Sequence, residues 1–558
     1  MFRTVWSRSG VLFGCLCLSA TANAQDRPSD ADIFGAAPAP SPPAAPAPPN
    51  GTPGTAPVTP VPSSTAPAPV AAPPAPPAAA AEAQAPNASP SPSRDAQILG
   101  SGETPMFNEE AAPEDPLKIG GQLYLRAQTT ASTGQGPSAW AFSSPSLLDV
   151  YLDARPNDRV RGFVLGRMVF DPTLPASASQ SESIAAVSAT GSTSGSANLS
   201  SLFQQQTRAP VVSLDQLWIN FDVAHTVFVT AGKQHVRWGT GHFWAPTDFL
   251  HLRPRNPLDV FDARTGTTMV KLQLPIESRA WNFYGYVLTE NSVATPTLGD
   301  VAAAGRAEFV LGPSELGLGV LGQRDHKAKL AADLSFGIGD FDFYGELGLR
   351  SGGEIDRVSY NAAATAPPPY VAPSWQAPSD AALSALEQTV DAYYPVYRSN
   401  GYKAQAVGGL SYSRKYNDND LFTVGAEYFY NGLGYASPAA YPGLVLPHTI
   451  GLNDSANFFY LGQHYAALYV TFPAPYTLDN HTFTLSTLGN LSDRSFITRL
   501  DYSLIALTHV RFEAFASARY GNENGEFRFG VSNLNLGGVN FSRAPALMDF
   551  GLALRIAI

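Results

Sequence analysis

Residues 510–519 read Val-Arg-Phe-Glu-Ala-Phe-Ala-Ser-Ala-Arg, with Val510, Phe512, Ala514, Ala516 and Ala518 alternating with Arg511, Glu513, Phe515, Ser517 and Arg519. Successive side chains of an extended strand point to opposite faces, so this stretch has one greasy face and one that carries both signs of charge. The same alternation sets Leu123, Leu125 and Ala127 against Gln122, Tyr124, Arg126 and Gln128, and Leu148, Val150 and Leu152 against Asp149, Tyr151 and Asp153. Working outward from these segments gives eighteen strand candidates. They start near residues 118, 146, 158, 211, 225, 266, 279, 303, 314, 327, 340, 402, 419, 463, 479, 496, 508 and 547.

Alternation alone fits a soluble sandwich as well as a membrane barrel. The connections separate the two. Tight turns such as Arg155-Pro156-Asn157-Asp158, Leu311 to Ser314, Gly337 to Asp340 and Tyr416 to Asp420 follow the even strands. The odd connections are mostly long: Asp171 to Pro210, Trp238 to Thr265, Ser351 to Gly401, Asn431 to Gly462 and Gly521 to Pro545, with short exceptions at Gln323 to His326 and near Ser492. A sandwich has no reason to keep its short turns on one rim. A transmembrane barrel has one, because lipid cannot hydrogen-bond a free strand edge and the sheet must close. The expected fold is therefore all-β: a transmembrane antiparallel up-and-down barrel of about eighteen strands over 118–558. Trp218, Trp281, Tyr428, Tyr430 and Tyr520, near segment ends, are candidates for aromatic girdles at the lipid interfaces.

The chain before the barrel divides in two. Arg3 and Arg8 precede a short apolar core, Val11 to Leu18, and Ala22-Asn23-Ala24 fits the small-x-small rule, so 1–24 reads as a signal peptide with the mature chain beginning near Gln25. The only two cysteines, Cys15 and Cys17, would leave with it, which removes disulfides and thiolate metal sites. A rival reading takes Leu12-Phe13-Gly14-Cys15 as a lipoprotein box; it is the weaker one, because only about three apolar residues precede it and the apolar core of a signal needs roughly 7–15. Residues 25–117 read as a disordered Pro/Ala-rich periplasmic linker. Ala36 to Ser93 hold 20 Pro in 58 residues and one charge, Glu82, a composition that builds a semi-rigid spacer and no core.

Lys+Arg 35 against Asp+Glu 46 gives a formal net charge of -11, which excludes a nucleic-acid partner held by a basic surface. The expected partners are outer-membrane lipid and small hydrophilic solutes, with the cell wall or a periplasmic protein as a further partner for the linker.

In its strand and loop pattern the chain resembles bacterial outer-membrane porins and related substrate-channel barrels over about 118–558. A sharper likeness lies in Gly232-Lys233-Gln234-His235-Val236-Arg237-Trp238-Gly239-Thr240-Gly241-His242-Phe243-Trp244-Ala245-Pro246-Thr247-Asp248, which is similar to a G-[KR]-Q-x-x-x-W-G-x-G-x-x-W-x-P-T-D stretch of uncharacterised outer-membrane barrels. The resemblance implies family membership and no particular solute. One departure is the C-terminus: such barrels usually end in Phe, and this chain ends Leu554-Arg555-Ile556-Ala557-Ile558.

The loop after this stretch is the most chemically loaded part of the chain. Arg237, His242, Trp244, Asp248, Arg253, Arg255 and Asp259 are candidates for a constriction in which residues 238–265 fold into the lumen and select solutes by charge. The competing reading is a surface loop held by its own ion pairs. Candidate lumen-facing positions on the strands are Arg126, Arg161, Arg167, Glu308, Glu346, Glu427, Arg499, Asp501, Arg511, Glu513 and Arg555. Other motifs are weaker. Gly317 to Gly322 matches G-x-G-x-x-G but lies inside a strand with no helix after it, and Asn417-Asp418-Asn419-Asp420 has turn residues without regular calcium-loop spacing. The nine histidines are dispersed, so no metal or cofactor is expected. A porin-like channel leads; an outer-membrane hydrolase using residues such as His464 and Ser503, or a structural barrel that anchors a periplasmic tether, are the alternatives. No G-x-S-x-G supports the hydrolase.

Overall fold

The computed structural model describes residues 116–173, 210–251, 254–258, 264–290, 297–364, 388–416, 421–444, 460–536 and 539–557. The expected signal peptide, 1–24, and the expected linker, 25–117, except its last two residues, lie outside the described residues, as do Arg253, Asp259 and the turn at 417–420.

Eighteen strands form the wall: β1 Leu117–Ser132, β2 Ser146–Asn157, β3 Val160–Phe170, β4 Val211–Val223, β5 Val227–Gln234, β6 Thr267–Ile276, β7 Trp281–Leu288, β8 Ala302–Leu311, β9 Ser314–Gln323, β10 Lys329–Ile338, β11 Phe341–Ser351, β12 Tyr402–Lys415, β13 Leu421–Asn431, β14 His464–Pro473, β15 His481–Asn490, β16 Ser495–Leu507, β17 Val510–Gly521 and β18 Ala546–Ala557. Every start lies within two residues of the position read from the alternation. Each strand pairs antiparallel with the next, and β18 closes on β1 with Leu125 opposite Leu554 and Arg126 opposite Ala553. No wall strand is left with an open edge, which is what allows a sheet to sit in hydrocarbon.

The two faces are sorted as the pleat requires. On β1, β2 and β18 the outward Leu125, Val150, Leu152 and Leu552 are exposed, while the inward Tyr124, Arg126, Asp149 and Asp549 are buried. An apolar exterior around a polar, charged interior makes the fold a transmembrane barrel. Short turns gather at one rim. Val223 is joined to Val227 through Ala224 and His225, both near φ +53°, the left-handed geometry that suits a tight hairpin between twisted strands.

One strand breaks the alternation. A β-bulge at Asp215, where Leu165 faces Gln216 and Gly166 faces Leu214, turns both Asp215 and Gln216 inward. Everything after it on β4 changes parity, so Trp218 points into the barrel and stacks on Phe163 with centroids 5.4 Å apart. This corrects its assignment to a lipid-facing girdle. Trp281, Tyr428, Tyr430 and Tyr520 do face outward, the three tyrosines with exposed rings.

Candidate functional site

The connection from β5 to β6 turns into the barrel. Trp238, Trp244 and Leu250 are each 1% exposed, although they lie in irregular chain between strands. Trp238 packs against the backbone of β9 at Gly319, where an added Cβ would stand 2.8 Å from the indole, and the guanidinium of Arg306 on β8 lies 5.7 Å from its ring centroid.

Two buried carboxylates of the wall then take hold of the backbone. Glu346 on β11 accepts from the N–H of Gly241, from the Thr247 N–H at 3.4 Å and from the Thr247 hydroxyl at 2.7 Å. Glu427 on β13 accepts from three successive N–H groups, His242 at 2.7 Å, Phe243 at 3.2 Å and Trp244 at 2.9 Å, and from the Tyr344 hydroxyl at 2.9 Å. Successive N–H groups converging on one carboxyl group form a nest, and here the group is buried, where each such bond counts for more. The glycines make this approach possible. Gly239 has φ +98°, and a side chain there would collide with the Glu346 carboxylate; one at Gly241 would collide with the carbonyl of Trp244. The spacing W-G-x-G-x-x-W-x-P-T is thus the set of residues that brings backbone onto two carboxylates.

Aromatic packing completes the seat. Trp244 stacks on Phe429 of β13 at 5.6 Å, and His242 stacks on Tyr469 of β14 at 4.6 Å. Arg237 donates to the Gly241 carbonyl. Burial, with the charges of Arg255 and Arg237 beside it, holds the His242 imidazole well below its ordinary range, so it is neutral. Burial would raise the Asp248 carboxyl, but His251 at 2.9 Å and Arg264 at 3.0 Å outweigh it and hold the group well below the usual carboxylate range. Farther along, Tyr460 donates its hydroxyl to the Arg255 carbonyl, and Arg499 of β16 donates to the Leu258 carbonyl at 3.2 Å. The chain that leaves β5 therefore reaches β16, on the far wall. Its tip leaves one recess beside Tyr460 and Glu526 and another, lined by Arg126, Leu258, Arg499, Phe515 and Arg519.

The base of the segment is tied to the near wall. Asp215, aimed inward by the bulge, sits 3.2 Å from His235 and 3.5 Å from Arg167, and the His235 and His251 rings lie 5.8 Å apart. His235 stands in the quoted motif and His251 in the charged loop after it, but nothing in the sequence pattern singled out Asp215; an apolar-to-apolar step in the parity of β4, Leu214 to Leu217, was the available signal.

Several of the remaining charged positions pair on the inward face. Arg167 holds Asp149 at 2.8 Å, Arg161 holds Asp153 at 2.8 Å, Arg306 joins Glu308 at 2.8 Å and Asp333 at 2.7 Å, and Arg499 holds Asp501 at 2.6 Å. Arg126 and Arg499 both lie over the Phe515 ring, at 4.5 and 4.2 Å. Arg555 donates to Gln122 at 3.0 Å, while Arg511 and Glu513 stand on β17 nearer the short-turn rim. His464 and Ser503 are not brought together: His464 begins β14 at the long-loop rim, bonded to Tyr428, and Ser503 lies toward the opposite end of β16.

No known family matches the chain, and no curated protein matches it. Among solved structures, a mutant of the porin of Rhodopseudomonas blastica is 9% identical over 79% of this chain and 100% of its own, with a TM-score of 0.36. A triple mutant of the same porin is 10% identical over the same shares, with a TM-score of 0.35.

Proposed function

We propose that the chain is a porin-like channel of a Gram-negative outer membrane, passing small hydrophilic solutes through a constriction made by residues 238–265. The observation that carries this reading is the backbone of 241–247 held on Glu346 and Glu427 inside a closed wall. A segment held so firmly across the interior narrows the passage, and charge selects strongly only where the passage is narrow, because screening acts over about 8–10 Å at physiological salt. Arg237, His242, Trp244, Asp248 and Arg255 are assigned to this ring, Arg253 and Asp259 are added to it from their place in the sequence alone, and the paired wall charges form a lining of mixed sign. Residues 25–117 would lie in the periplasm as a linker.

Single-channel recording in planar bilayers tests the reading. The wild-type protein should conduct, and replacing Arg253 and Arg255 with Ala should shift the reversal potential under a salt gradient toward cations. Absence of conductance would overturn the channel; unaltered selectivity in the double variant would remove the two arginines from the constriction.

A further inference from the structure

Where β5 ends, its chain leaves the wall. The strand pairs with β4 from Val223 to Leu217 and with β6 as far as Gln234 opposite Thr267, and the segment then turns into the lumen. Beyond that point β4 and the start of β6 face each other with no strand between them. The bulge of β4 lies there. Its extra residue, Asp215, is skipped by the pairing with β3, because Leu165 faces Gln216 and Gly166 faces Leu214. The Asp215 carbonyl accepts from the N–H of Gly266 at 3.1 Å, so the bulge joins β4 to the residue before β6 across the place that β5 has left. Gly266 permits this approach: an added Cβ would stand 2.8 Å from that carbonyl oxygen and 3.0 Å from the backbone of Gln234.

The side chain of the same residue holds the other root of the segment. The His235 Nε2–H donates to the Asp215 carboxylate at 3.2 Å, and Arg167, at 3.5 Å from Asp215 and 2.8 Å from Asp149, ties that carboxylate to the wall. From His235 the contacts run inward. Its ring lies 5.8 Å from that of His251, and His251 and Arg264 both hold Asp248, while the Thr267 hydroxyl donates to the Leu250 carbonyl at 3.0 Å. A bulge can re-aim a side chain and end a pairing, and this one does both, at the entry and at the exit of one segment. We propose that Asp215 is the positioning residue of the constriction: its carboxylate sets where the chain enters the lumen, and its carbonyl fixes where the chain returns to the wall. The consequence for solutes rests on the channel reading, but what Asp215 holds in place can be measured without any current.

Deleting Asp215 tests this, because the deletion repairs the ladder. Leu214 and Gln216 would become consecutive, outward and inward as they are now, and no other residue of β4 would change face. A residue that served the wall alone could be removed without harm. Hydrogen exchange of the full-length protein in lipid nanodiscs, followed at the amides of 241–247, reads the segment, and heat-modified gel mobility reads the wall. The deletion should keep the folded mobility and exchange those amides roughly tenfold faster than the wild type, as expected when one or two hydrogen bonds at the root are lost. Asp215→Ala keeps the carbonyl and should show a smaller increase; Asp215→Asn, which still accepts from His235, should lie between Ala and the wild type. Asp215→Ala decides the matter if the deletion does not fold. Wild-type exchange in the folded deletion, or in Asp215→Ala, would overturn the proposal. In planar bilayers the same variants should conduct more and with more noise; a wild type that carries no current would sink the channel reading alone and leave the exchange result standing.

Discussion

Strand β18 and the segment 236–258 face the same lumen and are built by opposite rules. In β18 the backbone bonds are supplied by neighbours of the same kind, and each side chain needs only to suit one of two faces. Among the described residues of the segment no strand pairing is made; N–H groups of 241–244 and 247 close on Glu346 and Glu427, its glycines make room, and its rings fit particular rings of β13 and β14. A repeating wall tolerates substitutions that keep facing and polarity. A single-copy seat does not, and that contrast can be tested.

The largest effect should come from removing the seat. Glu427→Ala leaves three buried N–H groups and the Tyr344 hydroxyl without their acceptor, at about 1–3 kcal/mol for each group that finds no other. The segment should leave its place while the wall stays closed, seen as conductance that rises and grows noisy in a barrel that keeps its heat-modified mobility. Loss of the folded barrel would show that wall and segment are one cooperative unit, and the comparison would fail.

Next in size is a fault in the wall. Leu554→Arg puts a charge on the lipid side and should cost about 2–4 kcal/mol if near the midplane. Arg555→Gln, on the lumen side, should cost less. Equal loss of folded barrel in both variants, by gel mobility, would contradict the facing.

A smaller effect concerns the long-loop rim. Glu526 accepts from the backbone N–H of Tyr460 at 3.0 Å and Leu461 at 3.2 Å and from Asn490 at 2.8 Å, and burial lifts its carboxyl to about 7, with hydrogen bonds to Tyr465 and Asn490 opposing and Asp493 adding to the rise. The folded value is above the ordinary 4.5, so the closed arrangement keeps a proton that an open one releases. Its stabilisation is complete below 4.5 and is lost as pH rises through about 7. Hydrogen exchange at Tyr460 and Leu461, corrected for intrinsic rates, should show protection falling across that window. In Glu526→Gln the fall should vanish; persistence would assign it to another group.

The smallest expected change is none. Deleting Ala36 to Ser93 removes chain that cannot bury a core, so the barrel should fold and conduct as before. A barrel that no longer reaches the outer membrane would make this stretch an assembly element.

Most of the wall is legible in the sequence because the information is local. Strand facing repeats every two residues, so Arg126, Glu346, Glu427 and Arg519 can be placed on the inner face from their neighbours alone. Where a local rule is broken the reading breaks with it. One extra residue at Asp215 inverts the parity of β4, which is why Trp218 is misjudged and why the contact of Asp215 with His235 cannot be foreseen. The segment shows the other limit. Its glycines, tryptophans and Thr247 stand out as a motif, but their purpose depends on Glu427, 185 residues from His242, and on Glu346, 99 residues from Thr247.

Composition and period two determined that this chain closes into a membrane barrel of about eighteen strands with short turns on one rim, since a strand in lipid has no alternative partner for its backbone. Only the tertiary structure decided what occupies the interior. Which carboxyl group receives which N–H and which charges pair across neighbouring strands depend on side chains distant in sequence. They meet only once the sheet has closed.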